Sequence, residues 1–288
     1  MITAPDPRRL YPATAAAERV PSPAALDERH VAAYHRDGFL AIENLLSPAE
    51  VATAKAALDD LLHDRVAGFE GLQPEPEVKE RWDEMSPDER AAAVRKVWLF
   101  VQHEPRLAAL ARHPTLHRVL ERLIGEPCRM IQDMALLKPP HIGSEKPWHQ
   151  DMAYFGWSPP ERIVGVWIAL DPATAENGCM QVIPGTHRAG PIPHVHARDC
   201  QIPDERVAAD RAVLVPLSPG GALFFTSLLH HGTPPNESPH RRWAVQFHYA
   251  GESVVPIDRL QHAALYFEGD RYAGCRAGTG RPISELSG

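Results

Sequence analysis

Apolar positions in the first 125 residues recur with a helical period. Val51, Ala54, Leu58, Leu61 and Leu62 share one face of the segment after Ser47-Pro48-Ala49-Glu50, which joins a serine cap, a proline at the first helical position and a glutamate three residues past the cap. Ser86-Pro87-Asp88-Glu89 repeats this signature and predicts a further helix that takes in Lys96. Asp27 can cap a helix through about Arg36, with Asp37-Gly38 ending it. Residues 39–45 are apolar enough for a strand, 68–80 read as a polar loop, and Pro105 and Pro114 open two more helical segments, the second ending near Gly125.

Beyond Cys128 the pattern changes. Short apolar runs at 130–137, 163–170, 179–183, 212–217, 222–227 and 242–249 alternate with Pro and Gly turns. Regular short strands with turn signals predict an antiparallel sandwich or barrel. The expected architecture is α+β with a mainly β core, helices first and then a β-barrel with helices packed on the sheet. Residues 27–288 read as one domain, and the Ala- and Pro-rich residues 1–26 as a mobile tail.

Composition narrows the function classes. The 288 residues hold 30 Lys and Arg against 37 Asp and Glu, a net charge of −7, which argues against broad nucleic-acid binding. No apolar run approaches the length of a membrane span. The N-terminus shows no apolar signal core and the C-terminus no peroxisomal address. Four cysteines lie scattered without a CxxC pair, so neither a disulfide framework nor a zinc ribbon is indicated and the cytoplasm is the expected compartment. The 29 prolines agree with many turns, and the 16 histidines invite a metal reading.

His-x-Asp places an imidazole and a carboxylate on one face of a strand. Two such pairs occur, His35/Asp37 and His149/Asp151, and in a histidine-rich chain the spacing alone proves nothing. His35 falls in the last turn of a helix, where a cation is favourable without any metal. His149 and Asp151 instead enter the β half between Trp148 and Tyr154-Phe155. A third ligand is expected from a distant strand, and the run 222–227 leads into His230-His231-Gly232-Thr233, with Arg242 opening the next strand. Two His and one Asp without cysteine form the triad of non-haem Fe(II) oxygenases, although zinc is chemically possible. A nearby arginine suits bidentate binding of a carboxylate.

Several motifs in order then carry a resemblance: Tyr34-His35-Arg36-Asp37-Gly38-Phe39, Lys138-Pro139-Pro140, Trp148-His149-Gln150-Asp151, Gly165-Val166-Trp167, Glu176-Asn177-Gly178-Cys179, Ile183-Pro184-Gly185-Thr186-His187, and His231-Gly232-Thr233 with Asn236 and Arg242. Over most of residues 27–250 the chain resembles the phytanoyl-CoA dioxygenase family of Fe(II)/2-oxoglutarate-dependent oxygenases. The resemblance implies a double-stranded β-helix, or cupin-like jelly roll. It makes His149, Asp151 and His231 the iron ligands, His231 being preferred to His230 because Gly232 follows it. Arg242 and Thr233 would meet the far carboxylate of 2-oxoglutarate, with Lys96, Met134, Gln150 and Trp167 around the cosubstrate. Asp151 stands where the family's halogenases carry a small residue, so hydroxylation with O2 is expected rather than halogenation. The expected partner is a small-molecule substrate, free or as an acyl thioester, contacted by 141–146, Tyr154, Phe155 and 187–210, with the protein a monomer or homodimer. Two alternatives remain: a cupin-type metal enzyme that does not use 2-oxoglutarate, and a non-catalytic binding homologue.

Overall fold

Local signals set the helix boundaries in the computed structural model, which describes residues 7–267. Helix α1 (Glu28–Asp37) starts where the Asp27 carboxylate accepts the backbone N–H groups of Arg29 and His30, and ends at Gly38, whose φ of +88° suits glycine. Helices α2 (Pro48–Leu62) and α3 (Pro87–Ala92) both open with reciprocal serine–glutamate capping boxes. Helices α4 (Pro105–Ala111), α5 (Pro114–Ile124) and α6 (Arg259–Tyr266) complete the set among the described residues.

Twelve strands build two facing sheets: β1 (Arg19–Val20), β2 (Phe39–Ile42), β3 (Leu72–Pro74), β4 (Val94–Trp98), β5 (Cys128–Lys138), β6 (Lys146–His149), β7 (Ile163–Ala169), β8 (Met180–Val182), β9 (Val213–Val215), β10 (Ala222–Thr226), β11 (His231–Thr233) and β12 (Arg242–Gly251). The large sheet runs β1-β2-β10-β7-β12-β5-β4-β3 and the small one β9-β8-β11-β6. Pairing is antiparallel except between β1 and β2. From β6 onward the chain passes repeatedly between the sheets. The result is the expected jelly roll, built as an open two-sheet sandwich rather than a closed barrel.

Strand alternation sorts the two cores. Along β12, Trp243, Val245, Phe247 and Tyr249 join Leu58, Leu61, Leu107 and Leu120 in the cluster beneath the helices. On the other face of the large sheet, Trp167, Leu223, Phe225 and Ala244 pack with Met180, Val182 and Leu214 of the small sheet. Arg242, Gln246 and His248 alternate with these helix-side residues and belong to this inner face, so β12 carries polar groups into the sandwich.

Three expectations need correction. The stretch read as a loop contains β3 and a 3-10 turn at Pro76–Glu84. The helix opened by Ser86 ends at Ala92, and Lys96 lies on β4, because β-branched Val94 and Val97 find pairing partners in β3 and β5. The supposed tail is packed from Leu10 onward. Trp148 Nε1 donates to the Leu10 carbonyl at 2.7 Å, and the Tyr11 ring stacks on Trp148 with centroids 5.6 Å apart. Ala17 donates to the Leu214 carbonyl at 2.7 Å before β1 pairs with β2. Tyr11→Ala should therefore cost about 3 kcal/mol, in the range for truncating a buried aromatic. It would be measured as a lower urea midpoint with unchanged slope, and an unchanged midpoint would restore the mobile-tail reading.

Candidate active site

His149 ends β6, and the chain keeps alternating through the next two residues: His149 and Asp151 face the sandwich interior while Trp148 and Gln150 face away. His231 opens β11 directly opposite His149 in the β6–β11 pair, which brings the two ring centroids to 4.1 Å. His149 Nε2 lies 3.3 Å and His231 Nε2 3.5 Å from Asp151 Oδ1. One ligand atom from each of the three residues falls within 4.8 Å of the others, and all three residues are buried.

The proton positions follow from the partners. His149 Nδ1 lies 2.8 Å from the Pro147 carbonyl and His231 Nδ1 2.9 Å from the Leu229 carbonyl. A carbonyl only accepts, so each Nδ1 carries the hydrogen and each Nε2 presents a lone pair. Two lone pairs thus face a carboxylate oxygen, an arrangement that lacks a bridging proton and is completed by a cation. Burial, then the neighbouring His231 and Lys146, hold His149 down to about 3, which keeps the ring neutral as ligation requires. Two imidazoles and one carboxylate with no thiolate suit a divalent first-row metal with open positions.

Arg242 occupies the same inner face at the start of β12, paired in register with Lys138 of β5. Its guanidinium donates to the carbonyls of Gly178 at 3.1 Å and Leu136 at 3.2 Å and lies 5.1 Å from the Trp167 ring centroid, while Nε has no partner among the described residues. Gly178 has φ +81°, and a Cβ there would sit 2.7 Å from the Pro234 carbonyl oxygen, so glycine is required where the carbonyl meets the arginine. Burial lowers Arg242 to about 10, still a cation at neutral pH. Among the described residues no carboxylate pairs with it. A buried guanidinium satisfied only by carbonyls, with a donor to spare, can receive an anion. Thr233, Arg242 and the triad line one cavity of about 290 Å³.

The family profile described as phytanoyl-CoA dioxygenase (PhyH) matches residues 34–244. The chain belongs to the phytanoyl-CoA dioxygenase family. Human peroxisomal phytanoyl-CoA dioxygenase is 30% identical over 236 residues, spanning 78% of this chain and 68% of the human one. L-proline trans-4-hydroxylase of Streptomyces griseoviridis is 30% identical over 247 residues, spanning 77% and 86%. The solved structure of EctD from S. alaskensis with 2-oxoglutarate and 5-hydroxyectoine superposes at a TM-score of 0.64 with 26% identity, over 81% of this chain and 78% of that one.

The remaining residues singled out by the family pattern divide. Lys96 and Met134 line the cavity. Lys96 Nζ has no hydrogen bond or ion pair among the described residues and sits 5.0 Å from the Trp98 ring centroid. Burial, then Lys146 and Arg95, lower it to about 7, so an anion beside it would restore its charge. Trp167 lies under Arg242 rather than on the cavity wall. Gln150 is not at the pocket: its amide donates to the carbonyls of Gly190 and Leu228 and accepts from the Ile192 N–H, bracing the backbone behind the metal ligands. Alternation from His149 already turns it away. Of the basic residues in 187–210, Arg198 lines the cavity, but it is paired with Glu145 and Asp204. Tyr154 and Phe155 line it as expected. The other His-x-Asp pair is structural, with Asp37 bound to Arg36 beside the end of α1. Arg241, just before β12, pairs instead with Asp171 at 3.1 Å.

Arg95, Gln132 and Gln246 line the cavity without having been singled out in the sequence, and one residue that touches the triad was also missed. His248, on the inner face of β12, lies with Nε2 2.7 Å from Asp151 Oδ2. A lone histidine in an apolar strand gives no signal until the fold places a carboxylate opposite it.

Proposed function

We propose that this chain is an Fe(II)- and 2-oxoglutarate-dependent dioxygenase that hydroxylates an unactivated C–H bond of a small molecule: substrate, O2 and 2-oxoglutarate become hydroxylated substrate, succinate and CO2. The observation that carries this reading is one cavity holding two imidazole lone pairs around a carboxylate oxygen and, apart from them, a buried guanidinium with no carboxylate of its own among the described residues. A metal alone would explain the first feature and not the second.

His149, Asp151 and His231 would hold the Fe(II), which when bound supplies the oxidising power for attack on a C–H bond. The chain itself binds and orients. Arg242 and the Thr233 hydroxyl would receive the far carboxylate of 2-oxoglutarate, with Lys96 adding positive charge and Met134 an apolar wall. The two carbonyl acceptors at Pro147 and Leu229 keep both imidazoles in the ligating tautomer. Tyr154 and Phe155 cover the cavity beside His149 and limit access of water to the reacting groups.

The cavity, about 290 Å³, is at the lower end of ligand-binding pockets and must also hold the cosubstrate. That size favours a small substrate or the terminal part of a larger one. The relationship to L-proline trans-4-hydroxylase supports the same choice.

Anaerobic addition of Fe(II) and then 2-oxoglutarate to the metal-free protein tests the reading. A visible charge-transfer band should appear only when both are present. Iron binding without the band would leave the metal site standing and remove the 2-oxoglutarate assignment.

A further inference from the structure

The two oxygens of Asp151 have different surroundings. Oδ1 faces the bare Nε2 atoms of His149 and His231. Oδ2 lies 2.7 Å from His248 Nε2. A carboxylate only accepts, so the His248 Nε2 carries the hydrogen and donates it. Both groups are buried, His248 to 1% exposure, so water does not replace this bond.

The Gln246 side-chain amide also lies 3.3 Å from His248 Nε2, a longer contact than the 2.7 Å to Asp151, which sets the tautomer. The His248 Nδ1 is buried with no partner among the described residues, a position that costs free energy in any protein interior. Phe155 packs edge-on against the ring with centroids 4.9 Å apart, and Phe225 lies at 6.4 Å. In the sheet, His248 stands between Gln132 of β5 and Gly165 of β7, in the middle of the large sheet and across the sandwich from β6. The bond to Asp151 therefore ties a metal-facing carboxylate on a short edge segment to the longest strand pair of the fold.

We propose that His248 is a positioning residue that engages Oδ2 of Asp151 and leaves only Oδ1 for a metal ion. The inference rests on the metal reading of the triad. A carboxylate with one oxygen engaged offers one ligand atom rather than two. Two nitrogens and one oxygen then leave open positions for a two-point cosubstrate and O2, one of which a chelating carboxylate would occupy. Residues beyond the ligands that orient them commonly change metal affinity 10- to 100-fold when replaced.

Cobalt(II) titration of the metal-free protein, followed by visible absorption, tests this without turnover. His248→Leu keeps the apolar bulk and removes the donor; it should raise the cobalt Kd about 10- to 100-fold and alter the intensity of the cobalt spectrum, which reports coordination number. His248→Gln carries an amide N–H of similar reach and should return both towards wild type. Equal cobalt binding and spectra in wild type and His248→Leu would overturn the proposal while leaving the metal site intact. So would a glutamine variant as impaired as leucine with an unchanged circular dichroism spectrum. A wild-type protein that binds no cobalt would remove the metal reading and this role together. Should the leucine variant not fold, proton NMR of the wild type decides: the hydrogen-bonded His248 Nε2–H resonance should persist when zinc is added, and its loss on loading would show that Oδ2 has passed to the metal.

Discussion

Arg242→Ala is expected to raise the KM for 2-oxoglutarate on the order of 100- to 1,000-fold while Fe(II) still binds. The guanidinium is buried, satisfied by two carbonyls, and left without a carboxylate among the described residues. Removing one partner of a buried charge pair costs about 2–5 kcal/mol, and each 1.4 kcal/mol is a factor of ten. A structural arginine and a binding arginine predict opposite effects on the free protein. If Arg242 served mainly to hold the sheets together, alanine would lower the melting temperature. As an unpaired buried cation it is itself unfavourable without its ligand, so the unliganded variant should be about as stable as wild type, and only the stabilisation by added 2-oxoglutarate should vanish. Arg242→Lys should restore little, because an ammonium cannot present the planar fork that meets a carboxylate at two points. The measurements are 2-oxoglutarate-dependent succinate release and thermal melts with and without the cosubstrate. An unchanged KM would remove the anchor from the scheme.

Legibility in the sequence varied with the range of the signal. The caps of α1 and α2 and the strands β5, β7, β10 and β12 were readable because the signals are local: a capping box, a glycine stop, an uninterrupted apolar run. β6 and β11 span only four and three residues, too short for a period, and they are strands because they pair with each other. β4 was absorbed into a helix because the capping signature at Ser86 marks where a helix begins and says nothing of where it stops. The packed N-terminal segment was hidden by its composition: proline and alanine mask Leu10 and Tyr11, whose partner Trp148 is over a hundred residues away. At the site, His149, Asp151 and His231 were legible through motif and spacing. Gln150 was carried along by its place in the motif although alternation points it elsewhere. His248 carries no local mark, since its role depends on a carboxylate 97 residues distant in the chain.

His231, which opens β11, and His230 just before it give the sharpest contrast. His231→Ala should reduce iron-dependent turnover to background, whereas His230→Ala should keep it within roughly a factor of five, the size of effect expected from a modest loss of stability. Consecutive strand residues point to opposite faces. His231 stands opposite His149 and turns its bare Nε2 to Asp151. His230 does not line the cavity: its backbone N–H donates to the Thr186 hydroxyl at 3.0 Å, and its Nε2 has no partner among the described residues. Burial, then His231, lower His230 to about 4, so it is neutral at pH 7 and adds no charge behind the site. Removing His231 leaves one imidazole and one carboxylate, which cannot supply the three protein ligands that define this class of site. Removing His230 leaves all three, with a small void in the wall behind them. Iron content after anaerobic reconstitution separates the two variants independently of any substrate: His231→Ala should retain little iron and His230→Ala a near-wild-type amount. The reverse pattern would move the metal to the other face of β11, and an equal loss in both would mean that the strand, rather than either imidazole, is what the site requires.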